Sequence, residues 1–427
     1  MPKKEYDWNV GDPPPYIEAH SLTKHKVLED YIFRYLHILT QHPMSQYFKL
    51  TLVDGFAGGG VYSQRNTGDL QLGSPLQLLK TSEAAIANIP IERKKRGIKN
   101  NVKLDLQYYF VEKKKSNYKY LLHSLNQHGY EDRIDQDIFA INQAFENVAD
   151  QIIQDIKSRG RGCRSIFVLD QYGYSQVNFS LIKKIMRELP HAEIVLTIMT
   201  GWLIDYLSDN PRYMKGLKTA GLYDILDVQT VLNSKEDGTE WRRIIQYQLH
   251  EIFRNETGAK FYTPFFIVTP SSKKSYWLVH LSSHVRAQDE MKNLHWLRSN
   301  DFEHYGTAGL NMLGYDTAND ALLSGQMELD TGYAFDDFAR DQTLSVLQEE
   351  VPRILHPHSN GIIYDTFLSQ ICNGTPATSN IIKQVAENMI ERKELVVTGP
   401  NGVLRRKAST IHQNDVLTIP QQGYFIY

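Results

Sequence analysis

Cysteine is scarce in this sequence, and no long apolar run is present. The 427 residues include two cysteines, Cys163 and Cys372, which lie in distant segments. We therefore expect neither a disulfide framework nor a zinc site, and a reducing compartment fits this composition. No stretch of about 18 apolar residues is available to span a membrane, and residues 1–15 lack the apolar segment of a secretory signal. These absences predict a cytoplasmic protein without a membrane partner.

Neither sign of charge dominates the chain. Its 47 lysine and arginine residues nearly balance 49 aspartate and glutamate residues, so the formal net charge is −2. This excludes a globally basic nucleic-acid binder, but local basic faces remain compatible with binding because partners respond to patches of charge. Hydrophobic residues make up 41% of the chain and charged residues 22%, which is typical of a globular protein. The length favours two or three domains.

Short apolar segments alternate with helical segments in the first half of the chain. Strands are predicted within residues 47–56, 103–113, 165–174 and 192–202. A helix is predicted at 20–41 with Ser21 as its N-cap, and another begins with Ser74 as cap and Pro75 in its first turn. Strands that alternate with helices predict a parallel sheet with crossover helices, and hence an α/β fold.

The chain changes character after this sheet. Residues 260–270 and 273–284 flank a short polar turn and predict an antiparallel hairpin. Two helical segments, a strand, a Gly-Pro-Asn-Gly turn and basic residues then predict a winged-helix domain. Acidic residues before this domain predict a solvated linker or lid: Asp330, Asp336, Asp337 and Asp341. The expected organisation is a helical lead-in at 1–45, an α/β domain at 46–310, an acidic linker at 311–343 and a winged-helix domain at 344–427.

A glycine-rich segment, VDGFAGGGVY at 53–62, joins the first predicted strand to a helix. Glycines let the backbone approach a ligand closely, and α/β sheets bind nucleotides at the carboxyl ends of their parallel strands. Glycine-rich turns without a ligand are also common. The segment is therefore either such a turn or a cofactor loop, whose binding residues would be Asp54, Phe56, Ala57, Gly58 and Gly60.

Glu112 ends the second predicted strand. In dinucleotide-binding folds an acid at this place accepts hydrogen bonds from both ribose hydroxyls. Glu112 follows Asp54 by 58 residues, whereas the usual spacing is about 20. An insertion that includes the basic run at 93–99 must therefore lie between them. A solvated glutamate beside three lysines is the alternative interpretation.

The order D-G-F-A-G-G-G from Asp54 to Gly60 resembles motif I of S-adenosylmethionine-dependent methyltransferases of the D-x-F-A-G-x-G kind. The resemblance implies that Asp54 and Gly58 to Gly60 face the methionine part of the cofactor. It also places Asp137, after a third strand, near the adenine. For Asp137 the alternative is an exposed loop carboxylate.

The segment DQYGY, residues 170–174, follows the fourth predicted strand. It is similar to the Asp/Asn-Pro-Pro-aromatic element of amino-group methyltransferases, in which the acid or amide accepts a hydrogen bond from the target amine. The similarity implies that Asp170, Tyr172 and Tyr174 orient the methyl acceptor. Gln171 stands where that element has its first proline, and the tyrosines could instead cover the edge of the sheet.

Five blocks in a fixed order resemble the three-Cys-motif partner (TcmP) proteins, a prokaryotic group. The blocks are TKHKVLEDYI, VDGFAGGGVY with GSPLQLL, YYFVEK, LDQYGYSQV and YWLVHLSSHVRAQDEMKNLHW, and they span roughly residues 20–300. The resemblance implies a Rossmann-like methyltransferase-type sheet with a terminal antiparallel hairpin, and it suggests a three-Cys-motif protein as partner. The family commonly has D-P-F-G where this sequence has DQYG.

The winged-helix region carries candidate nucleic-acid contacts. Short polar donors and basic residues suit phosphates and base edges. Such residues open the second helix and follow the turn: Thr378, Ser379, Asn380, Lys383, Arg405, Arg406 and Lys407. Winged helices also mediate protein contacts, and a basic strand is often a solvated face.

Together these patterns favour an S-adenosylmethionine-binding, methyltransferase-like protein that acts on or near nucleic acid, with prokaryotic defence as a setting. The alternative is a catalytically silent module that binds a partner protein and DNA. A third interpretation is hydrolysis of nucleic acid by Asp54, Glu112 and Asp170. Lys24 and His25 could also face a substrate, which the sequence leaves open.

Overall fold

The structure is a computed structural model that describes residues 6–65, 67–171, 177–198, 211–223, 225–236, 241–269, 274–298, 303–304, 308–312 and 333–420. The chain divides into two compact units. The sheet unit comprises 1–239 and 251–290, and the C-terminal unit comprises 240–250 and 291–427. Among the helices in the described ranges, none combines the length and apolar character that a membrane crossing requires.

Nine strands lie in the described part of the sheet unit. They are β1 (Tyr47–Asp54), β2 (Val61–Ser63), β3 (Leu70–Leu72), β4 (Lys103–Val111), β5 (Ile138–Ile141), β6 (Arg164–Leu169), β7 (Ala192–Ile198), β8 (Phe261–Thr269) and β9 (Lys274–Ser282). Strands β2 and β3 pair with each other, and the other seven form one sheet in the order β5-β4-β1-β6-β7-β9-β8. The first five of these are parallel, and β9 is antiparallel to both neighbours. The predicted parallel sheet with a terminal hairpin is confirmed.

The three central strands end at nearly the same level. Asp54, the last residue of β1, lies opposite Phe110 of β4 and Val168 of β6. Strand β6 is buried at five of its six positions, as expected for a central strand covered on both faces. Glu112 and Asp170 follow β4 and β6 directly, so the register brings both acids to the same edge as Asp54.

Nine helices precede residue 298 in the described part of the chain. They are α1 (Ala19–Thr40), α2 (Ser74–Lys95), α3 (Lys115–Gln127), α4 (Phe145–Ser158), α5 (Phe179–Glu188), α6 (Pro211–Ala220), α7 (Val228–Glu236), α8 (Trp241–Glu256) and α9 (Val285–Leu297). The expectation that Ser21 caps α1 is wrong, because the helix begins earlier and Glu18 takes the N-cap position. At α2 the cap is Gly73 rather than Ser74, and Pro75 lies in the first turn as predicted.

Helix α2 accounts for part of the insertion between Asp54 and Glu112. It continues to Lys95 and so includes the start of the basic run. Arg93 in this run is 2% exposed. Its guanidinium donates to the carbonyl oxygens of Thr40 and Asn100. The first of these bonds satisfies an acceptor that the end of α1 leaves without an intrahelical partner. Arg93 is therefore a structural residue and not part of a basic surface.

The C-terminal unit contains the predicted winged helix. Its remaining elements are the strands β10 (Glu303–His304) and β11 (Tyr333–Ala334), helix α10 (Asp337–Leu355), β12 (Ile362–Ile363), α11 (Tyr364–Ile371), α12 (Ser379–Glu391), β13 (Val396–Thr398), β14 (Leu404–Arg405) and β15 (Val416–Thr418). Strands β12 to β15 form an antiparallel sheet in the order β12-β15-β13-β14. A helix, a short strand, two helices and an antiparallel sheet make up a winged helix-turn-helix.

Part of the acidic segment is helical rather than linker. Asp336 is the N-cap of α10, and its side chain accepts a hydrogen bond of 2.8 Å from the backbone nitrogen of Ala339. Asp337 and Asp341 lie within the same helix. Aspartate favours helix starts because it accepts from free backbone N–H groups and complements the helix dipole. Asp330 lies outside the described residues.

Candidate functional site at the strand ends

Asp54 is the most deeply buried acid at the strand ends. It is fully buried, and its Oδ1 accepts a hydrogen bond of 3.1 Å from the backbone nitrogen of Phe56. Its Oδ2 accepts no hydrogen bond within the described part of the chain. Burial raises the pKa of Asp54 to about 7, against the opposing effects of Ser74 and the Phe56 amide. The site therefore holds a buried carboxyl oxygen that a ligand donor could satisfy.

Glu112 ties the end of β4 to the glycine loop. Its carboxylate accepts hydrogen bonds from the backbone nitrogens of Gly58, at 3.0 Å, and Lys114, at 2.7 Å. The Asn142 side chain, which follows β5, donates to the carbonyl oxygen of Glu112 at 2.8 Å. The carboxylate is half-buried and turned toward the loop rather than into bulk water. This is the side of the strand on which a ribose-binding acid is expected.

Asp170 forms an ion pair with Lys24 of α1. The Lys24 Nζ lies 2.6 Å from both carboxylate oxygens, and the two side chains are 9% and 31% exposed. Burial disfavours the charged form of Asp170, but the Lys24 ammonium outweighs it, so the pKa of Asp170 is lower than usual. Next to Lys24, burial and the lysine charge lower the pKa of His25 to about 4. Asp170 is thus an ionised acceptor beside a neutral histidine.

The glycine loop adopts a conformation that needs glycine at two positions. Gly58 has a φ of +59° and Gly60 a φ of +85°, where residues with side chains are strained. Gly59 is required for another reason, because the Trp8 ring occupies the space that a side chain at this position would need. Close backbone approach therefore does occur at this loop, and the group that approaches Gly59 belongs to the chain itself.

Trp8 is held firmly in that position. It is 3% exposed, its backbone nitrogen donates to Asn117 Oδ1 at 3.1 Å, and its Nε1 donates to the Val61 carbonyl at 2.7 Å. The Trp8 ring also packs against Tyr6 and Tyr62, with ring centroids 5.7 and 5.2 Å away. These three aromatic side chains form a wall over the glycine loop, called the aromatic wall below.

The aromatic wall extends to the acids. Burial raises the pKa of the Tyr6 hydroxyl to about 12, with further contributions from the nearby Glu18 and Asp170. Burial likewise raises the pKa of Tyr62 above its usual value, and Tyr6 and Asp170 add to the rise. The Tyr62 ring lies 6.1 Å from that of His25. The aromatic wall therefore lies beside the acids at the strand ends.

Asp137 does not belong to this arrangement. The expectation that it follows a strand is wrong, because β5 begins at Ile138. Asp137 instead lies at the amino end of β5 and pairs with Arg133 at 2.7 Å. At about 3.3 Å per residue, the length of β5 places it roughly 13 Å from the edge that carries Glu112. The residue at the carboxyl end of β5 is Asn142.

The remaining predicted site residues of the sheet unit have the following positions. Ala57 is buried, and its backbone nitrogen donates to the Val111 carbonyl at 3.0 Å. Phe56 is half-buried, with its ring 6.4 Å from that of Phe145. Tyr172 and Tyr174 lie outside the described residues. Gln171, which replaces the first proline of the related element, is 3% exposed and accepts from the Val177 nitrogen, so it supports the backbone after β6.

The candidate nucleic-acid residues of the C-terminal unit divide into structural and exposed groups. Thr378 is buried and caps α12 by accepting from the Ile381 nitrogen. Arg405 pairs with the fully buried Asp415 at 3.0 Å. Ser379 and Lys383 are half-buried. Three residues are exposed: Asn380, Arg406 and Lys407. The exposed residues are those that can reach a phosphate without breaking an intramolecular contact.

The sequence offered little signal for three residues that shape the strand-end site. Trp8 lies in the N-terminal lead-in, where no motif marks it. Tyr62 follows the glycines without a motif role, and the sequence does not indicate a partner for Lys24. The partners of Lys24 and Trp8 lie 146 and 109 residues away, beyond the range of local patterns.

The fold and the strand-end edge define the class of this protein. In chain order the seven strands run 3-2-1-4-5-7-6, which is the doubly wound Rossmann order 3-2-1-4-5-6 with one antiparallel strand inserted. The chain is thus a mixed α/β protein with a Rossmann-like, methyltransferase-type sheet and a C-terminal winged helix-turn-helix.

Comparison with known families agrees with the assignment of a C-terminal winged helix-turn-helix. Residues 314–402 match the family model of the GMT-like winged helix-turn-helix (wHTH) domain. The chain matches none of the curated proteins compared with it.

Several solved structures show distant likenesses. A Legionella pneumophila protein of the DUF519 family is 10% identical, with a TM-score of 0.38 over 67% of this chain and 94% of that one. A candidate class I S-adenosylmethionine-dependent methyltransferase from Listeria monocytogenes is 8% identical, with a TM-score of 0.25 over 63% of each chain. A Streptococcus agalactiae protein of the NADB-Rossmann superfamily is 12% identical, with a TM-score of 0.20 over 75% of this chain and 95% of that one. TM-scores this low do not establish a common fold, so the class rests on the strand order and the family match.

Proposed function

We propose that the sheet unit binds S-adenosylmethionine at the carboxyl ends of β1, β4 and β6, and that the protein is a methyltransferase-like protein acting on nucleic acid. The observation that carries the proposal is the hydrogen bond between the Gly58 nitrogen and Glu112. It fixes a strand-end acid beside the glycine loop, in the crevice where doubly wound sheets bind nucleotides.

Each acid has a distinct part in this proposal. Glu112 would accept hydrogen bonds from the ribose hydroxyls, and the Asp54 Oδ2, which lacks a partner among the described residues, would accept from the amino group of the methionine moiety. Asp170, held by Lys24, would orient the acceptor. S-adenosylmethionine supplies an electrophilic methyl group, so the task of the protein is mainly to position the acceptor for in-line attack.

The chemistry of the C-terminal unit supports nucleic acid as the partner. Winged helices commonly place their second helix against DNA, and the exposed Asn380, Arg406 and Lys407 suit phosphate contacts. The resemblance to three-Cys-motif partner proteins adds a three-Cys-motif protein as a further partner and prokaryotic defence as the setting. These two points rest on the resemblance alone.

A second function, a catalytically silent binding module, is favoured by one observation. The Trp8 ring covers the face of Gly58 and Gly59, which the motif resemblance assigns to the methionine part of the cofactor. The acids fit the cofactor, whereas this part of the loop has no room for it while Trp8 is in place. Cofactor binding therefore requires either a position beside the aromatic wall or displacement of Trp8.

Isothermal titration calorimetry with S-adenosylmethionine tests both functions. We expect binding to the intact chain, weakened at least about tenfold in Glu112→Ala through lost charge-assisted hydrogen bonds. Asp137→Ala is the matched control, since this acid lies at the other end of its strand. Binding only after Trp8→Ala would support the silent module. If neither the intact chain nor the Trp8→Ala chain binds S-adenosylmethionine at millimolar concentration, the proposal is wrong.

Methyl transfer separates an enzyme from a silent binder. Labelled S-adenosylmethionine is incubated with the intact chain and mixed DNA and RNA, and the label in nucleic acid is counted. We expect transfer that is lost in Asp170→Asn while cofactor binding remains. Transfer that persists in this variant would show that Asp170 does not orient the acceptor.

A further inference from the structure

A cavity lies in the sheet unit, away from the strand-end site. Its volume is about 190 Å³, and it is enclosed by α1, the start of α9 and the amino ends of β6 and β7. Arg164 is the first residue of β6 and Glu193 the second residue of β7, so the cavity is at the opposite end of the sheet from Asp170. At about 3.3 Å per residue, the length of β6 separates the two sites by roughly 17 Å.

The two glutamates at this cavity already have partners. Glu193 is buried and accepts hydrogen bonds from the Tyr31 hydroxyl and from His280 Nε2, the latter at 2.9 Å. Glu290 forms an ion pair with Arg34 at 3.7 Å. Neither carboxylate is therefore the main group offered to a ligand.

Two arginines provide positive charge at the cavity. Arg164 and Arg286 both line it, and neither forms an ion pair with any residue in the described part of the chain. Two arginines and two glutamates line the cavity. Arg34 outside the lining pairs with Glu290, so these five side chains together carry one positive charge in excess. An exposed Arg286 and a half-buried Arg164 can both turn toward a bound anion.

A buried hydroxyl also faces this space. Tyr35 is 6% exposed, and its hydroxyl forms no hydrogen bond within the described residues. Arg164 lies near enough to oppose the rise in the pKa of Tyr35 that burial and Glu193 cause. An orphaned buried hydroxyl is costly, so a ligand atom that pairs with it gains stability. The hydroxyl and the Arg164 guanidinium thus form one recognition point.

The size and walls of the cavity limit the ligand. The Tyr31 and Tyr35 rings, with Ile38 and Leu39, supply apolar walls. An apolar cavity of about 150 Å³ holds benzene, so about 190 Å³ admits an aromatic ring with one small substituent. Guanidinium groups bind carboxylates in a bidentate manner. We propose that this cavity binds a small aromatic carboxylate of about the size of benzoate, with its ring against the α1 side chains and its carboxylate at Arg164 and the Tyr35 hydroxyl.

Binding of sodium benzoate to the full chain, measured by saturation-transfer NMR and calorimetry, tests this site. We expect saturable binding at one site, with benzyl alcohol, which lacks the charge, at least about tenfold weaker. Arg164→Met should weaken benzoate binding by a similar factor, whereas Arg187→Met, which removes an exposed arginine of α5, should leave it unchanged.

Two further variants make the outcome independent of folding defects. Tyr35→Phe removes only the hydroxyl and should weaken benzoate severalfold. Ala287→Phe fills the cavity and should abolish binding while circular dichroism shows a native fold. No saturable binding to the natively folded chain, or binding that neither Arg164→Met nor Ala287→Phe alters, would overturn the proposal.

Discussion

The Trp8 ring lies against the backbone of Gly59 so closely that no side chain fits at position 59. The contact joins the N-terminal segment to the loop at the end of β1, and it is reinforced by the hydrogen bond from Trp8 Nε1 to Val61. The three consecutive glycines are thus needed for two reasons: Gly58 and Gly60 for their left-handed backbone, and Gly59 for contact with tryptophan. A cofactor that used this loop would have to share it with Trp8.

A double-mutant cycle measures this contact. Trp8→Ala should lower the free energy of unfolding by about 3 kcal/mol, because a large buried ring is lost, and Gly59→Ala by about 2 kcal/mol through overpacking. In the double variant the clash is gone, so the two costs should fall short of additivity by at least about 1 kcal/mol. Urea unfolding followed by circular dichroism provides the values.

Gly162→Ala is the matched control for that cycle. Nothing lies within 4 Å of the side chain it would add, so its effect should stay below about 0.5 kcal/mol. Strict additivity of Trp8→Ala and Gly59→Ala would contradict the contact.

Asp54 should make stability depend on pH in one direction. Its pKa is raised from 3.8 to about 7, so the folded state favours the protonated acid. That stabilisation is complete below about pH 4 and is lost as the pH rises through about 7. Asp54→Asn stays neutral and keeps an acceptor for the Phe56 nitrogen. Relative to the natural chain, the variant should therefore gain up to about 4 kcal/mol between pH 4 and pH 8.

Urea unfolding of both chains across this pH range tests the prediction. The exposed Asp69→Asn is the control for the loss of one carboxyl group. If the free energy of unfolding of Asp54→Asn changes with pH in parallel with that of the natural chain, the buried carboxyl does not titrate as the structure indicates.

Removing one partner of the Lys24–Asp170 pair should lower the free energy of unfolding more than removing both. Breaking a fully buried pair costs about 3–5 kcal/mol, and the partial exposure of Asp170 lowers the expected cost of Lys24→Met to about 2 kcal/mol. Lys24→Met with Asp170→Asn should recover much of this loss. Because the pKa of Asp170 is lowered in the folded chain, its contribution exists above about pH 4 and disappears as the pH falls.

Thermal unfolding of the two single variants and the double variant at pH 7 and at acid pH provides the measurement. An equal loss at both pH values would show that the pair contributes through packing and not through charge.

Neighbouring arginines on the C-terminal sheet should behave differently. Arg405→Ala leaves the buried Asp415 without its cationic partner and should destabilise the chain by about 3 kcal/mol. Arg406→Ala with Lys407→Ala removes two exposed charges and should leave stability within about 0.5 kcal/mol. If this face binds DNA, the same pair of changes should reduce the slope of log affinity against log salt by about 2.

Fluorescence anisotropy with duplex DNA at several salt concentrations gives that slope. An unchanged slope in the Arg406→Ala, Lys407→Ala chain would show that these two residues belong to a solvated face and not to a DNA contact.

Much of the fold followed from local patterns. Apolar runs ending in Asp54, Glu112 and Asp170 predicted the parallel strands, and the turn between 260–270 and 273–284 predicted the hairpin. Errors arose where a pattern gave the type of an element but not its end. Ser21 lies inside α1 because the helix begins at Ala19, and Asp137 precedes β5 because the strand begins one residue later.

The sequence by itself determined the order of elements and the edge where the acids meet. Parallel strands have their C-terminal ends at the same edge of the sheet, so acids that follow such strands must lie along that edge. Tertiary structure decided what surrounds that edge. Trp8 over Gly59 and Lys24 beside Asp170 are contacts between segments far apart in the chain. Periodicity and residue spacing report only on neighbours a few positions away, so such contacts are determined by the packing of helices and loops on the sheet.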